Sequence, residues 1–158
     1  MAKVILICGK IASGKTFYCK GLMKKSPAVR LSVDELTTRI GELGTLHDQV
    51  CAAVQGYLLD RAADIARAGV DVILDWGFWT RAARQRASGF FRERGIATEW
   101  HYIHVSAARW QVNIEKRNAA VLAGETADYY VDQGLMQKLL SAFEEPDQSE
   151  IDVWFELD

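Results

Sequence analysis

Apolar positions along the chain fall into short continuous runs and helical stripes that alternate. Val4–Cys8 is an unbroken apolar, β-rich run that stops at Gly9, the pattern of a buried parallel strand ending in a loop. Thr16–Lys25 reads as a helix closed by Ser26-Pro27, and Ala28–Ser32 as a second strand, with Asp34 where the chain leaves it. Between Thr45 and Ala68, the residues Leu46, Val50, Val54, Tyr57, Leu58 and Ile65 recur at helical spacing, with Thr45 as the expected N-cap and Gly69 as the stop. Val70–Asp75 predicts a third strand, Thr80–Arg94 a helix stopped by Gly95, and Thr98–Val105 a fourth strand rich in β-formers. Ser106 is the expected N-cap of a helix reaching about Val121. Periodicity fades over Asn118–Tyr130, which predicts a mobile loop, and resumes as helix over Val131–Phe143. Ile151, Val153, Phe155 and Leu157 then alternate with polar or aromatic neighbours, as in a strand with one face less buried. This order predicts an α/β fold, a three-layer, five-stranded parallel sheet with helices on both faces.

At 158 residues the chain fits one domain, 1–158, and its 49% hydrophobic and 25% charged content leaves no room for a low-complexity region. Nineteen basic and 21 acidic residues give a net charge of −2, without the excess that marks a general nucleic-acid or membrane-surface binder. The near balance hides a division. Arg81, Arg84, Arg86, Arg92 and Arg94 crowd one predicted helix, whereas Glu144, Glu145, Asp147, Glu150, Asp152, Glu156 and Asp158 crowd the end with no Lys or Arg among them. Cys8, Cys19 and Cys51 show no CxxC spacing, so a reducing compartment is expected, and no apolar run is long enough for a membrane span. The expectation is a soluble cytoplasmic protein that does not engage a membrane.

Gly9-Lys10-Ile11-Ala12-Ser13-Gly14-Lys15-Thr16 matches G-x-x-x-x-G-K-[ST], a phosphate-binding loop, with a predicted strand before it and a helix after it. Composition alone gives such a match with a chance of roughly 0.4%, so the motif is specific. Its glycines let the backbone curl until successive N–H groups converge on phosphate oxygens, and the following helix aims the positive end of its dipole at the same point. Gly9, Ala12, Ser13, Gly14, Lys15 and Thr16 are therefore the expected nucleotide cradle, with Lys15 on the β- and γ-phosphates and Thr16 on Mg²⁺. Neither an Asn-Lys-x-Asp base-reading motif nor a D-x-x-G switch occurs, which argues against a GTPase and leaves a small kinase. A kinase needs one carboxylate to accept the proton of the attacking hydroxyl and another to hold the metal shell. Asp34 and Asp75 sit at the carboxyl ends of the second and third predicted strands, where ligands bind in such sheets. Asp34 is the expected base, against the alternative of a helix N-cap, and Asp75 the metal-side carboxylate, against that of a turn residue.

Taken in order, Gly9–Thr16, Leu31-Ser32-Val33-Asp34-Glu35-Leu36, Val72-Ile73-Leu74-Asp75, Glu115-Lys116-Arg117-Asn118 and Phe143-Glu144-Glu145-Pro146 resemble the successive signatures of small P-loop kinases related to polynucleotide kinase, chloramphenicol phosphotransferase and the zeta toxins. The resemblance covers nearly the whole chain. It implies a nucleoside-monophosphate-kinase type of sheet with the P-loop strand at its centre, Asp34 as general base, and Arg117 as a lid arginine on the transferring phosphates, the lid lying around 109–130. The chain departs from the family in three places. Asn113 stands where many relatives carry a second arginine, Ala119-Ala120-Val121 replace the basic residues that often follow Arg-Asn, and Thr37 replaces an arginine common in polynucleotide kinases. Arg109 could supply part of the missing lid charge.

Trp76, Phe78 and Trp79 crowd the loop after Asp75, where aromatics can stack on a sugar face or a base, or can form a cluster beneath the loop. Trp76 and Arg81, the latter at a helix start facing the strand ends, are the expected acceptor contacts beside Asp34. His101 and His104, three apart on a strand, point to opposite faces and suit no shared metal. The expectation is thus an ATP- and Mg²⁺-dependent kinase that phosphorylates a hydroxyl of a small molecule. The alternatives are a 5′-hydroxyl nucleic-acid kinase, weakened by Thr37 and the acidic end, and a nucleotide-binding regulatory ATPase without an acceptor.

Overall fold

The computed structural model describes residues 1–126 and 128–158. The continuous apolar runs form parallel strands, and the stripes form helices that cover them. In chain order the elements are β1 (Lys3–Cys8), α1 (Lys15–Lys25), β2 (Ala28–Leu31), α2 (Val33–Ile40), α3 (His47–Arg67), β3 (Asp71–Asp75), α4 (Arg81–Glu93), β4 (Ala97–Val105), α5 (Ala107–Leu122), α6 (Gln133–Ala142) and β5 (Val153–Leu157). Single 3₁₀ turns at Gly44–Leu46 and Gln148–Glu150 precede α3 and β5.

All strand pairs are parallel, in the order β2-β3-β1-β4-β5. β1 is central, with Ile7 in register with Asp75 on one side and His101 on the other. Because side chains alternate across a strand, Val4, Leu6 and Cys8 pack against α3 and α4 while Ile5 and Ile7 pack with Cys19 of α1. A third cluster, Val105, Trp110, Ile114 and Val131, joins α5 and α6 to the β4–β5 side of the sheet. Both faces of β1 are thus buried, which is why its sequence reads as a continuous apolar run and not as an alternation.

The expected strand and helix order holds, with local corrections. Thr45 does not cap α3: it lies inside the 3₁₀ turn, Gly44 is at φ +54°, and Leu46 precedes the helix without a side-chain cap. The helix α5 runs through Asn118 to Leu122, so the irregular segment is shorter than Asn118–Tyr130. Ala119 and Ala120 are strong helix formers, and the turn comes only at Gly124, φ +71°. Ser106 and Thr80 do cap, accepting from the N–H groups of Arg109 and Ala83, and Gly69 and Gly95 follow their helices at positive φ. No helix among the described residues is long and apolar enough to cross a membrane.

The cysteines follow from this packing. Burial pushes the thiols of Cys8 and Cys19 up to about 12 each, with nearby guanidinium and ammonium charges opposing the shift only in part. At pH 8 the thiolate fraction of each is on the order of one in ten thousand. Iodoacetamide at that pH should therefore leave Cys8 and Cys19 unmodified in the native protein and react only at half-buried Cys51, with all three labelled in denaturant. Mass spectrometry of the native digest checks this, and early labelling of Cys8 would contradict the packing around β1.

Candidate active site

The loop between β1 and α1 curls through two left-handed residues, Ala12 at φ +56° and Gly14 at φ +92°. The second suits glycine; the first is a conformation that costs an alanine about 1 kcal/mol. Three neighbours hold the curl. The Gly9 N–H donates to the Gly77 carbonyl at 3.1 Å, the Trp110 indole N–H to the Ile11 carbonyl at 2.7 Å, and the Asn113 amide to the Ala12 carbonyl at 2.9 Å. Gly14 precedes α1, so the first amides of that helix lack intrahelical carbonyls and point out of its N-terminus.

Lys15 folds back over the loop, its ammonium donating to the carbonyls of Gly9 at 3.0 Å and Lys10 at 2.7 Å. Its desolvation lowers its pKa, and the charges of Asp75 and Asp34 oppose the shift. An ammonium, free helix-start amides and a glycine curl form a donor set that fits a polyphosphate. Ser13 is fully buried with its hydroxyl unpartnered among the described residues.

Thr16 and Asp75 come together as expected. The Thr16 hydroxyl donates to Asp75 Oδ2 at 3.2 Å, and these two oxygens on adjacent elements suit a hard cation such as Mg²⁺. The same Oδ2 accepts from Arg30 Nε at 2.7 Å, and Arg30 also reaches Glu35 at 3.0 Å. Burial works against the Arg30 charge, but the hydrogen bond and charge of Asp75 hold its pKa above the ordinary value. Asp75, the last residue of β3, is 4% exposed, so this is a strand-end carboxylate buried with its own cation.

Asp34 lies in the first turn of α2 and is exposed; the cap of that helix is Ser32, which accepts from the Glu35 N–H at 3.2 Å, so the N-cap alternative for Asp34 does not hold. Arg117 lies on α5. Its guanidinium meets Asp128 at 3.3 Å and lies 5.0 Å from the ring centre of Tyr129. The Tyr129 phenol is raised chiefly by burial, with Arg117 opposing and Asp34 adding to the shift. The charge of Asp34 is thus felt at both Lys15 and Tyr129, and Tyr129 in turn packs against Arg117.

Two expected acceptor contacts lie elsewhere. Trp76 is 8% exposed, its ring stacked on Phe78 at 4.8 Å, and Phe78 meets Trp100 edge-on at 5.0 Å. Trp76 and Phe78 are core, because the strand face leading into them packs against α3 and α4; Trp79 is half-buried. Arg81 turns to the acidic end of the chain, pairing with Asp147 and, at 3.6 Å, with Glu150. Arg109 also lies off the expected lid position, donating to the Asp158 carbonyl at 3.3 Å. The clustered carboxylates signalled this partnership, but the sequence did not say which arginines they would meet. Arg30, Trp110 and Asn113 carried no motif. Asn113, read as a departure from relatives, has a specific partner in the P-loop. No group of three or more His, Cys, Asp or Glu side chains placed to hold a metal ion occurs among the described residues.

The sheet order and the central P-loop strand define a three-layer α/β fold of the P-loop kinase type. The chain belongs to the AAA domain family AAA_33, whose model matches residues 4–146. A search of curated protein sequences finds no match. Among solved structures, the chain is similar to a gluconokinase from Sinorhizobium meliloti 1021, at 15% identity and TM-score 0.68, over 99% of this chain and 82% of that one. It is similar to the Mycobacterium tuberculosis APS kinase in complex with AMPPNP and APS, at 17% identity and TM-score 0.60, over 99% and 89%. It is also similar to Chaetomium thermophilum Kti12 in complex with ADP-AlF3, at 15% identity and TM-score 0.71, over 98% and 88%.

Removing Arg30 would leave Asp75 as a buried carboxylate with only a hydroxyl donor. Arg30→Ala should lower the free energy of urea unfolding by about 3 kcal/mol, the usual cost of orphaning one member of a buried pair, and Arg30→Lys by less. An unchanged midpoint in Arg30→Ala would show that Asp75 does not depend on this cation.

Proposed function

We propose that the protein is an ATP-dependent phosphotransferase that moves the γ-phosphoryl group to a hydroxyl of a small molecule. What supports this reading is the phosphate-binding curl, with Lys15 folded over it and the Thr16 hydroxyl bonded to Asp75 at the strand end beside it. In the reaction, the P-loop amides and Lys15 hold the triphosphate, and Asp34 accepts the proton of the acceptor hydroxyl. The acceptor oxygen then bonds to the γ-phosphorus as the bond from phosphorus to the β–γ bridging oxygen breaks, and ADP leaves with that oxygen. Lys15 and Arg117 stabilise the charge on the transferring group. Thr16 and Asp75 would hold Mg²⁺, which would supply neutralisation of the phosphate charge. The exposure of Asp34 suits a base that must meet an incoming substrate, and its charge supports the cationic form of Lys15.

The nucleic-acid alternative is less well supported than on sequence grounds. A strand-binding groove needs free arginines next to exposed aromatics. Here Trp76 and Phe78 are buried, while Arg81 and Arg84 are paired with Asp147 and Glu150. An ordinary kinase geometry and a small-molecule acceptor agree with both observations.

The test is labelled ATP incubated with pooled sugars, other metabolites, antibiotics and oligonucleotides, followed by identification of the labelled product. The expected product is a small-molecule phosphate ester. Labelled oligonucleotide would favour the 5′-hydroxyl kinase, and tight ATP binding with no product would favour the regulatory ATPase. With an acceptor identified, Asp34→Asn should lower kcat at least 100-fold while leaving the ATP dissociation constant within about threefold, and Lys15→Ala should impair both. Full activity of Asp34→Asn would remove Asp34 as the base.

A further inference from the structure

The arginines of α4 are not absorbed by the proposed reaction. Arg81, Gln85, Ser88 and Arg92 recur every three or four residues and so line one face of the helix. That face looks across a cleft of about 700 Å³ to Asp147, Ser149 and Glu150, with Arg84 and Trp100 at its floor. The volume falls in the range of small-molecule sites, roughly 300–1,000 Å³. At a rise of 1.5 Å per residue, the stripe from Arg81 to Arg92 is roughly 16 Å long, enough for a ligand with several functional groups.

The charges lining the cleft do not cancel. Arg81 pairs with Asp147 and Glu150, and Arg84 Nε pairs with Glu150 Oε1 at 3.1 Å. Two carboxylates are thereby matched by two guanidinium groups. The third, Arg92, meets no carboxylate within ion-pairing distance among the described residues, so the cleft carries one positive charge in excess. Its floor also holds unused donors. Arg84 is 2% exposed and gives Nη1 to the carbonyls of Phe78 and Glu144, both at 3.0 Å, while its Nη2 has no partner among the described residues. Ser88 Oγ accepts from the Trp100 indole N–H at 2.9 Å, which leaves the Ser88 hydroxyl proton free to donate. None of these residues belongs to the P-loop or to the space around Asp34.

We propose that this cleft is a second binding site, for a metabolite-sized molecule bearing one oxyanion group, carboxylate or phosphate, together with hydroxyls. The oxyanion rests on Arg92 and Ser88, where a guanidinium fork and a hydroxyl donor are one helical turn apart. Gln85 and Ser149, further along the cleft, serve the hydroxyls. The excess positive charge selects a molecule with one oxyanion group over a neutral polyol, and the two paired carboxylates disfavour a molecule with several such groups.

Titration calorimetry of the full chain without ATP tests this independently of phosphoryl transfer, using gluconate and glucose 6-phosphate as charged probes and glucose as the uncharged control. Saturable one-site binding of at least one charged probe is expected, with glucose at least tenfold weaker. The two charged probes distinguish a carboxylate from a phosphate ligand. Binding should survive Lys15→Ala, weaken at least tenfold in Arg92→Gln, and fall as salt is raised. Arg92 is exposed, so the variant is expected to keep the parent melting temperature, which is measured alongside. The proposal is overturned if neither charged probe binds, if glucose binds equally well, or if Lys15→Ala abolishes binding while Arg92→Gln leaves it intact.

Discussion

Everything at the proposed site depends on a backbone held in a curl that it would not adopt alone. Left-handed residues two apart, one of them an alanine, are stable only where the surroundings over-determine them. Here the constraint comes from three directions. The β3–α4 loop takes the Gly9 N–H through Gly77, the helix α5 takes the Ile11 and Ala12 carbonyls through Trp110 and Asn113, and Lys15 spans the Gly9 and Lys10 carbonyls from within. At Gly77 a Cβ would lie 2.9 Å from the Gly9 carbonyl and collide with the Trp79 indole, so only glycine permits the first of these contacts. The strands feeding these contacts are buried on both faces, which makes the framework stiff enough to hold the strain.

The charge division within the chain has a structural purpose at its acidic end. Arg84, buried on α4, gathers the carbonyls of Phe78 and Glu144 and the carboxylate of Glu150. Burial alone would raise Glu150, but hydrogen bonds from Arg84 and the Asp147 backbone, with the charges of Arg84 and Arg81, hold it below the usual carboxylate range. The segment leading into β5 is thereby tied to the same loop that accepts the Gly9 N–H. Of the arginines that crowd α4, Arg81 and Arg84 form a fastening between two stretches of the chain more than sixty residues apart.

The framework was legible wherever one local signal determined the outcome. Continuous apolar runs identified the strands because both faces are buried, and Ser106, Gly69 and Gly95 marked helix ends by their own chemistry. The spacing of the P-loop, and Asp75 at a strand end, led directly to the Thr16–Asp75 contact. What stayed hidden depended on partners distant in sequence. Nothing local tells Phe78, on which Trp76 stacks, that Trp100 of β4 will meet it edge-on, or Arg81 that Asp147 will claim it. Arg30 follows the same rule, since a lone arginine on a short strand acquires meaning only when β3 brings Asp75 beside it. Asn113 was legible only as a difference from relatives; its role emerges when α5 is laid against the P-loop.

The segment from α5 to α6 combines a firm anchor with a weak one. Asn118 pairs with Val131 in both directions, its amide donating to the carbonyl and its oxygen accepting the N–H, each at 2.7 Å, and Val131 is 2% exposed. Those bonds fix the base of the intervening loop. Further out, Asp128 meets Arg117 with its own side chain 48% exposed, and a pair so open to water contributes about 0–1 kcal/mol. The stacking of Arg117 on Tyr129 adds a similar small amount. In the proposed reaction, the phosphates offer Arg117 more negative charge than a single solvated carboxylate does. Exchanging Asp128 for a phosphoryl oxygen then costs little, while Asn118 keeps the loop from leaving. The Arg117-Asn118 pair thus joins a residue that has to change partners to one that must not.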